Sequence, residues 1–505
     1  MVITLKHIFK KVKLVSTSVL PVTGVATNIT LAASLPENTD ALIVPVFRDQ
    51  DELQLASSNL FDSDTEAEIF SMLGKLGAKG KAEELTRVPA PDSVNADFML
   101  AVGLGEAEQL DDDLLRRASA VAARALAGVE TAATTLAPFG LTAVIEGSVL
   151  GSYQYTGWKS ENDKKPVTNI VVLSEQDDVQ VAQITAEAVN LARDLVNTPS
   201  SHLYPESYAH IIQSLATDLG ISCEIFDETQ LQEHGFGGVL AVGCGSARKP
   251  RLVTLKYQPE NPAASVALVG KGVTFDTGGI SIKPAANMDH MISDMGGSAA
   301  AVATIIAAAR LQLNVAVTVV VGLAENMPDG EAFRPGDVVT HYGGKTTEIL
   351  NTDAEGRLIL ADALVWAGET NPDYLIDIAT LTGAQLVALG ERTSGVMGNG
   401  KLAKKLAKLG RKVGENAWAM PLPKELSEAM TSPVADLRNL SPSRWGGMLS
   451  AGCFLKEFVS DDVQWAHIDI AGPSFNSGSV YGYTPARGTG VPVRTLIKFL
   501  RKLDD

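Results

Sequence analysis

The first third of the chain alternates short apolar runs with segments of helical character. The runs at 41–47 (ALIVPVF), 98–102 (FMLAV) and 170–173 (IVVL) predict buried strands. Between them, 111–128 (DDDLLRRASAVAARALAG) predicts a helix with acidic side chains in its first turn. This alternation is typical of an α/β domain, which we place at residues 1–176.

The rest of the chain begins with a long helical pattern at 177–197, which we expect to connect two domains. The remainder, 198–505, is expected to form the second domain. Helical segments separate several of its apolar runs, which predicts a doubly wound, mostly parallel sheet. The predicted strands are 251–257, 266–269, 315–321, 374–378 and 465–470. In such sheets ligands bind at the carboxyl ends of the strands.

Length and charge restrict the classes of function. At 505 residues the chain exceeds what one hydrophobic core usually serves, which agrees with two domains. Its net charge is −17, and residues 1–180 carry 15 Lys and Arg against 25 Asp and Glu. Such a surface repels phosphate backbones and anionic lipids, so nucleic acid and membranes are not expected as partners.

Targeting and redox signals predict a cytoplasmic protein. The longest uncharged apolar stretch, 299–309, spans 11 residues, so we expect a buried helix and no membrane span. The basic start at 1–21 lacks an apolar core and a cleavage site, and we expect it to form an irregular arm. Cys223, Cys244 and Cys453 show no CxxC spacing, which predicts buried free thiols in a reducing compartment.

Several common catalytic motifs are absent from the sequence. It contains neither HExxH nor GxSxG. A dinucleotide loop starting at Gly270 would need a third glycine where Phe275 stands, and a phosphate loop ending in Gly344 and Lys345 would need a glycine at Val339. Serine-nucleophile and nucleotide-binding functions therefore lose their usual support.

Two segments remain as candidates for chemistry: 266–294, a buried strand followed by a glycine-rich loop, and 351–357 (NTDAEGR). Four carboxylates at one sheet edge repel each other and need cations, and oxygen ligands suit a pair of divalent metals. Each acid alone has a simpler interpretation as a solvated loop residue, and Asp294 has a second one as a helix N-cap. The charged candidates are Lys271, Asp276, Lys283, Asp294, Asp353, Glu355 and Arg357.

These segments resemble the cytosolic leucyl aminopeptidase family. Residues 351–358 (NTDAEGRL) match the family signature, and GKGVTFDTGGISIKP matches its metal loop. Further matches at 194–199 (DLVNTP), 326–337 (NMPDGEAFRPGD) and 467–472 (HIDIAG) extend the resemblance over most of 190–505. It implies a macro-like N-terminal α/β domain, a C-terminal catalytic domain and a homohexamer built as a dimer of trimers.

The resemblance also implies a role for each candidate. Lys283 is expected to polarise the scissile carbonyl and stabilise the gem-diolate, and Arg357 to hold a bicarbonate that acts as general base. The two metals are expected to be Mn²⁺ or Zn²⁺, with Mg²⁺ or Co²⁺ as further options. One ion would be held by Lys271, Asp276, Asp294 and Glu355, and the other by Asp276, Asp353 and Glu355.

The implied activity is release of N-terminal amino acids, preferably leucine and other apolar residues, from short peptides. Met291, Thr380 and Gly383 match positions that line the side-chain pocket in the family. Two alternatives stay open: a DNA-binding regulator, which the acidic N-terminal part disfavours, and a metal-binding pseudoenzyme.

Three histidines lie near these motifs without a predicted catalytic role. His290 follows Asp289 in the loop after the metal loop, and His341 precedes a glycine-rich turn. We expect both to be exposed loop histidines. His467, in a predicted strand, is expected to be a hydrogen-bonded core residue.

Overall fold

Two β-sheets organise the protein, one in each half of the chain. The computed structural model describes residues 19–50, 52–56, 60–161, 164–176 and 179–504. The predicted N-terminal arm therefore lies largely outside the described residues. The strands of the first half are β1 (Asn28–Ala32), β2 (Ala41–Asp49), β3 (Glu52–Leu55), β4 (Leu85–Pro89), β5 (Phe98–Gly103), β6 (Thr131–Thr134) and β7 (Asn169–Leu173), and its helices are α1 (Ser63–Lys75), α2 (Asp112–Ala125) and α3 (Leu141–Ser152).

The first sheet has the order β1-β7-β6-β2-β5-β4, with β3 paired to β2. Its inner pairings are parallel, whereas β3 and β4 pair antiparallel with their neighbours. The predicted acidic helix is α2, and the Asp111 side chain caps it by accepting a hydrogen bond of 2.8 Å from Leu114 N.

A helix of 18 residues, α4 (Gln180–Asn197), lies between the two halves. Its Arg193 is almost fully buried and donates hydrogen bonds to backbone carbonyls on both sides. One acceptor is Leu150 on α3 at 3.0 Å, and the others are Tyr483 at 2.9 Å and Thr489 at 3.0 Å in the second half. The connecting helix thus exists, while the domain boundaries at 176 and 198 stay predictions.

The second half contains a larger sheet with helices on both faces. The strands of this half are β8 (Ser222–Phe226), β9 (Arg251–Tyr257), β10 (Ala264–Asp276), β11 (Val315–Asn326), β12 (Val338–Thr340), β13 (Thr346–Glu348), β14 (Tyr374–Ala379), β15 (Ser394–Gly398), β16 (Ala417–Ala419), β17 (Leu437–Arg438), β18 (Gln464–Asp469), β19 (Phe475–Asn476) and β20 (Arg487–Gly488). Among them, β12, β13 and β17 form a separate small sheet, and β19 pairs with β20. The helices of this half are α5 (Pro205–Thr217), α6 (Glu228–His234), α7 (Gly237–Gly243), α8 (Gly296–Arg310), α9 (Gly356–Gly368), α10 (Gly383–Leu389), α11 (Leu402–Lys412), α12 (Lys424–Glu428), α13 (Gly447–Lys456) and α14 (Val493–Asp504).

The larger sheet has the order β16-β15-β18-β14-β10-β11-β9-β8. The central strands β18, β14, β10 and β11 are parallel, and antiparallel pairs occur towards both edges. Helix α8 packs in the core on one face and α9 in the core on the other. The predicted doubly wound, mostly parallel sheet is confirmed. Because the chain leaves β10 for β11 on one side and returns as β14 on the other, the strand order reverses at β10.

The apolar helix α8 lies inside the protein. The stretch Met288–Arg310 contains an 18-residue window that is apolar enough to cross a membrane, with a mean hydropathy of 1.4, but 89% of this window is buried within the fold. All residues from 296 to 309 are buried. The prediction of a buried helix at 299–309 is therefore confirmed.

The cysteines are free, as predicted, but only one of them is fully buried. Cys453 lies in the core, whereas Cys223 and Cys244 are half-buried. Burial raises the pKa of the Cys223 thiol to about 11, so this thiol stays protonated at neutral pH despite its partial exposure.

Two glycines allow α8 to begin directly against the centre of the sheet. A Cβ at Gly297 would lie 2.0 Å from the carbonyl oxygen of Ile378 on β14. A Cβ at Gly270 would lie 2.5 Å from the Cα of Ser298. The start of α8 therefore approaches the reversal point of the sheet more closely than any side chain would permit.

We expect Gly297→Ala to lower the free energy of unfolding of the protein by about 1–3 kcal/mol or more, because the added methyl collides with a backbone carbonyl that cannot move freely. The matched control is Gly368→Ala at the end of α9, where a Cβ meets nothing within 4 Å. There we expect a neutral effect or a gain of about 0.5–1 kcal/mol. Urea denaturation followed by tryptophan fluorescence compares the two, and equal midpoints would contradict the close-contact argument.

Candidate active site

The long central strand β10 carries the first two candidates on one face. Lys271 lies within the strand and Asp276 ends it, and both are buried. Five positions separate them, so regular alternation would place them on opposite faces. A β-bulge between Val273 and Phe275 adds one residue to the strand and returns Asp276 to the face of Lys271.

Each of two lysines lies between two of the four predicted carboxylates. Lys271 Nζ lies 2.8 Å from Asp294 Oδ1 and 2.8 Å from Glu355 Oε1. Lys283 Nζ lies 2.8 Å from Asp276 Oδ2 and also contacts Asp353. The structure therefore brings these six side chains into one continuous charged cluster at the carboxyl end of β10, where the strand order reverses.

Burial and mutual repulsion shift the pKa values of the aspartates upwards. Burial is the main cause for Asp276, helped by Glu355 and Asp294, and its pKa rises to about 8. Burial likewise raises the pKa of Asp294 to about 6 and that of Asp353 above its usual value. The raised pKa values reflect an excess of acidic groups, because four carboxyl groups share the site with two lysines.

The pKa values of the two lysines are raised as well, but by attraction to the carboxylates. Burial alone would lower the pKa of Lys271, but attraction to Asp294 and Glu355 outweighs it and the pKa is raised. The pKa of Lys283 is raised for the same reason, chiefly by Asp276. For Glu355, Lys271 and Lys283 outweigh burial and the pKa is lowered.

Asp294 faces the cluster and does not cap a helix. The N-cap of α8 is Met295, with no side-chain cap. Asp294 Oδ1 instead accepts a hydrogen bond of 2.7 Å from the Thr380 hydroxyl, and Lys271 also donates to the Thr380 carbonyl at 3.1 Å. Within the described ranges no donor reaches the buried Asp294 Oδ2. The N-cap interpretation of Asp294 is therefore wrong.

The oxygen atoms of the cluster fit a divalent cation. Asp276, Asp353 and Glu355 each offer a carboxylate oxygen, and these atoms all lie within 4.8 Å of one another. The open lone pairs of Asp294 Oδ2 add a further ligand on the same edge. Hard, convergent, negatively charged oxygens of this kind are the ligands that divalent metals take in proteins.

Arg357 lies in the first turn of α9, two residues after Glu355. It is buried, and its Nη1 donates a hydrogen bond of 2.7 Å to the carbonyl of Asn439. In the part of the chain that the structure describes, its Nε finds no acceptor. Burial lowers the pKa of this guanidinium to about 10, against the opposing attraction of Glu355 and Asp469. Such an arginine stays charged at neutral pH and presents a free N–H for an anion.

The three predicted pocket residues differ in their relation to the cluster. Thr380 touches it directly through Asp294 and Lys271. Met291 is half-buried in the 3₁₀ turn Met288–Ser293, and its carbonyl accepts from Asp294 N at 3.2 Å. Gly383 begins α10, where an added Cβ would face open space. The contacts thus link Thr380 and Met291 to Asp294, while none joins Gly383 to the charged groups among the described residues.

The histidine predictions hold in part. His467 is fully buried on β18, with Nδ1 2.5 Å from Asp377 Oδ1, as expected of a core residue. His290 is partly exposed and packs against Phe475. The prediction for His341 is wrong: it is buried, with Nδ1 2.9 Å from Asp362 and Nε2 3.0 Å from Thr347. Its turn folds back onto α9, which the local sequence does not indicate.

One buried residue of the site was not singled out from the sequence. Asn326 ends β11, next to β10, and is fully buried. Its Nδ2 donates to Asp276 Oδ1 at 2.8 Å and to the Thr352 carbonyl at 3.0 Å. It therefore ties the two candidate segments together, and its position shortly after the predicted strand 315–321 was the available signal.

Comparison with known proteins agrees with this arrangement. Residues 190–497 match the model of the cytosol aminopeptidase family, catalytic domain, and residues 43–162 match that of its N-terminal domain. The chain belongs to the cytosol aminopeptidase family. A probable cytosol aminopeptidase of Corynebacterium diphtheriae is 57% identical over 491 residues, covering 96% of this chain and 98% of that one. One from Nocardia farcinica is 52% identical over 485 residues, covering 93% and 96%.

Solved structures extend the likeness to the fold. The bottromycin maturation enzyme BotP in complex with Mn is 37% identical, with a TM-score of 0.83, and the match covers 92% of this aminopeptidase and all of that chain. A mutant of tomato leucine aminopeptidase is 29% identical, with a TM-score of 0.83 and coverage of 95% and 97%. The resemblance found in the sequence is confirmed, and the protein is a hydrolase of the aminopeptidase class.

We expect Lys271→Met to destabilise the metal-free aminopeptidase by about 3–5 kcal/mol at pH 8, because it leaves Asp294 and Glu355 buried without their cation. Without Lys271 the pKa of Asp294 rises further above its value in the unfolded chain, and Glu355 loses the main attraction that keeps its pKa low. A protein whose buried acids have a raised pKa in the folded state loses stability as the pH rises. The loss of stability caused by Lys271→Met should therefore be small near pH 5 and grow towards pH 8.

The measurement is urea denaturation of chelator-treated protein at several pH values. Lys256→Met, at an exposed lysine of β9, is the control and should stay within about 0.5 kcal/mol of the parent. A penalty for Lys271→Met that does not change between pH 5 and 8 would show that the carboxylates are not the cause.

Proposed function

We propose that this aminopeptidase releases leucine and other apolar residues from the N-termini of short peptides with the help of two divalent ions, Mn²⁺ or Zn²⁺. The observation that carries the proposal is the convergence of Asp276, Asp353 and Glu355 beside the open oxygen of Asp294. When bound, two divalent ions would acidify a water molecule and bind the peptide oxygen and the free α-amine. That amine requirement restricts cleavage to the N-terminus.

The metal ligands and the group that binds the substrate carbonyl are assigned to residues of this chain. Asp276 and Glu355 would serve both ions, Asp294 and Lys271 would complete the more buried site, and Asp353 would complete the other. Lys271 must lose its proton to become a ligand, which the metal charge would drive. Lys283, on the more exposed side of the cluster, would then be free to donate a hydrogen bond to the substrate carbonyl oxygen.

Arg357 would hold the general base. Of the two carboxylates that act on it, Glu355 is assigned to metal binding, and Asp469 accepts hydrogen bonds from the Thr382 hydroxyl and two backbone N–H groups. A bound bicarbonate would therefore supply the base that the protein lacks. The free Nε of Arg357 and its charge at neutral pH support an oxyanion there.

The substrate side chain would occupy a pocket bordered by Met291, Thr380 and Gly383. Thr380 and Met291 both form hydrogen bonds with Asp294, which supports a pocket beside the metal site. A methionine wall suits leucine-like side chains because its flexible thioether adapts to branched apolar groups.

The test is hydrolysis of leucine-p-nitroanilide by chelator-stripped protein, with and without added Mn²⁺ or Zn²⁺, beside an N-acetylated substrate as control. We expect metal-restored cleavage of the free-amine substrate alone, because the α-amine is a required anchor. Cleavage of the acetylated substrate would contradict amine anchoring, and a lack of turnover with any metal from pH 7 to 10 would favour the pseudoenzyme alternative.

Metal affinity should rise with pH. Lys271, with its raised pKa, and Asp276, with a pKa of about 8, both release a proton when a metal binds. Each proton released weakens binding about tenfold for every unit that the pH falls below the pKa. We expect the dissociation constant for Mn²⁺, measured by calorimetry, to increase at least about tenfold per unit between pH 8 and 6. A constant value would contradict ligation by these groups.

The protein is further proposed to be a cytoplasmic homohexamer, a dimer of trimers. Apolar side chains exposed on and beside α10 support a covered surface in an oligomer: Val387 is 90% exposed and Trp445 69%. Native mass spectrometry would show six chains, and a monomer would contradict the proposal.

A further inference from the structure

A buried asparagine lies beneath the loop that carries Asp353 and Glu355. Asn439 directly follows β17, whose parallel pairing with β13 places it there. It is fully buried, and its backbone N–H donates to the carbonyl of Glu348 at 3.0 Å. Its own position is therefore set by a strand pairing outside the main sheet.

The carboxamide of Asn439 holds the backbone of that loop at both ends. Its Oδ1 accepts hydrogen bonds from Leu350 N at 2.8 Å and Asn351 N at 3.4 Å. Its Nδ2 donates to Asn351 O at 2.7 Å and to Ala354 O at 3.4 Å. Because every partner is a backbone group, this side chain fixes the path of the loop from 350 to 354 and hence where Asp353 and Glu355 begin.

The same residue also orients Arg357. The carbonyl of Asn439 accepts a hydrogen bond of 2.7 Å from Arg357 Nη1. With that donor engaged, Arg357 Nε remains without an acceptor among the described residues. One residue thus anchors the carboxylate loop through its side chain and the arginine through its backbone.

We infer that Asn439 is a positioning residue of the aminopeptidase, which keeps Asp353 and Glu355 in a metal-binding geometry and turns Arg357 towards the reacting water. The inference rests on the proposed two-metal function. An asparagine suits the place because it joins a donor and an acceptor in one plane. An aspartate would set a charged oxygen against the carbonyl of Asn351, and an alanine would leave buried backbone groups without partners.

A second asparagine offers a matched control. Asn399 makes the same kind of bridge, accepting from Trp465 N at 2.8 Å through Oδ1 and donating to Val463 O at 2.8 Å through Nδ2. These partners lie at the start of β18, at the edge of the sheet opposite the charged cluster. Substitution there removes hydrogen bonds of the same kind, two instead of four and at a half-buried position, without touching the site.

The experiment compares Asn439→Ala and Asn439→Asp with Asn399→Ala and Asn399→Asp. Mn²⁺ binding to chelator-stripped protein is measured by calorimetry, the unfolding temperature by circular dichroism, and leucine-p-nitroanilide hydrolysis at saturating Mn²⁺. For the Asn439 variants we expect a dissociation constant for Mn²⁺ about 10–100 times higher and a fall in kcat that exceeds any change in KM, since support of ligands is lost. The Asn399 variants should lower the unfolding temperature only.

The inference is overturned if the variants at both positions lose similar thermal stability while Mn²⁺ binding and kcat stay at parental values. Asn439→Asp keeps the size and the acceptor of the side chain, so it provides the comparison if the alanine variant does not fold. Failure of Mn²⁺ or Zn²⁺ to restore activity to the parent protein would instead reject the two-metal function, and with it the role of Asn439.

Discussion

The protein depends on the neutralisation of a cluster of buried negative charges by nearby cations. Asp276, Asp294, Asp353 and Glu355 come together at the carboxyl end of the central strands, and charged groups of one sign cannot be buried there alone. Lys271 and Lys283 divide the carboxylates between them, so that each lysine pairs with two acids. The bulge in β10 and the close approach of α8 serve this arrangement by aligning its members on one edge.

The sequence predicted the buried strands best, because their burial shows as a local run of apolar residues. The runs assigned to β10, β11 and β14 fall within those strands, because parallel strands covered on both faces are continuously apolar. The antiparallel strand β9 also matches its predicted bounds residue for residue. The six charged residues of the cluster were all candidates, since their motifs resemble those of a known family. Their convergence could not follow from spacing alone, because Lys271 and Asp276 share a face only through the bulge.

Contacts between segments that lie far apart in the sequence could not be predicted from local patterns. The two ring nitrogens of buried His341 form hydrogen bonds with Asp362 on α9 and Thr347 on β13, and neither partner can be inferred from the surrounding turn. Asn439 follows a strand of two residues, too short for any periodic pattern, and its partners lie more than 80 positions earlier. Polar residues that bond to backbone groups carry no compositional signature of their partners.

The hydrogen bonds of Arg193 bear on how a peptide can enter. One guanidinium spans the two halves, with acceptors at Leu150 on one side and Tyr483 and Thr489 on the other. A hinge rotation about α4 would strip a buried cation of those acceptors, at a cost of several kcal/mol. These hydrogen bonds therefore oppose a hinge rotation between the two halves, and we expect a peptide to reach the charged cluster without the halves opening.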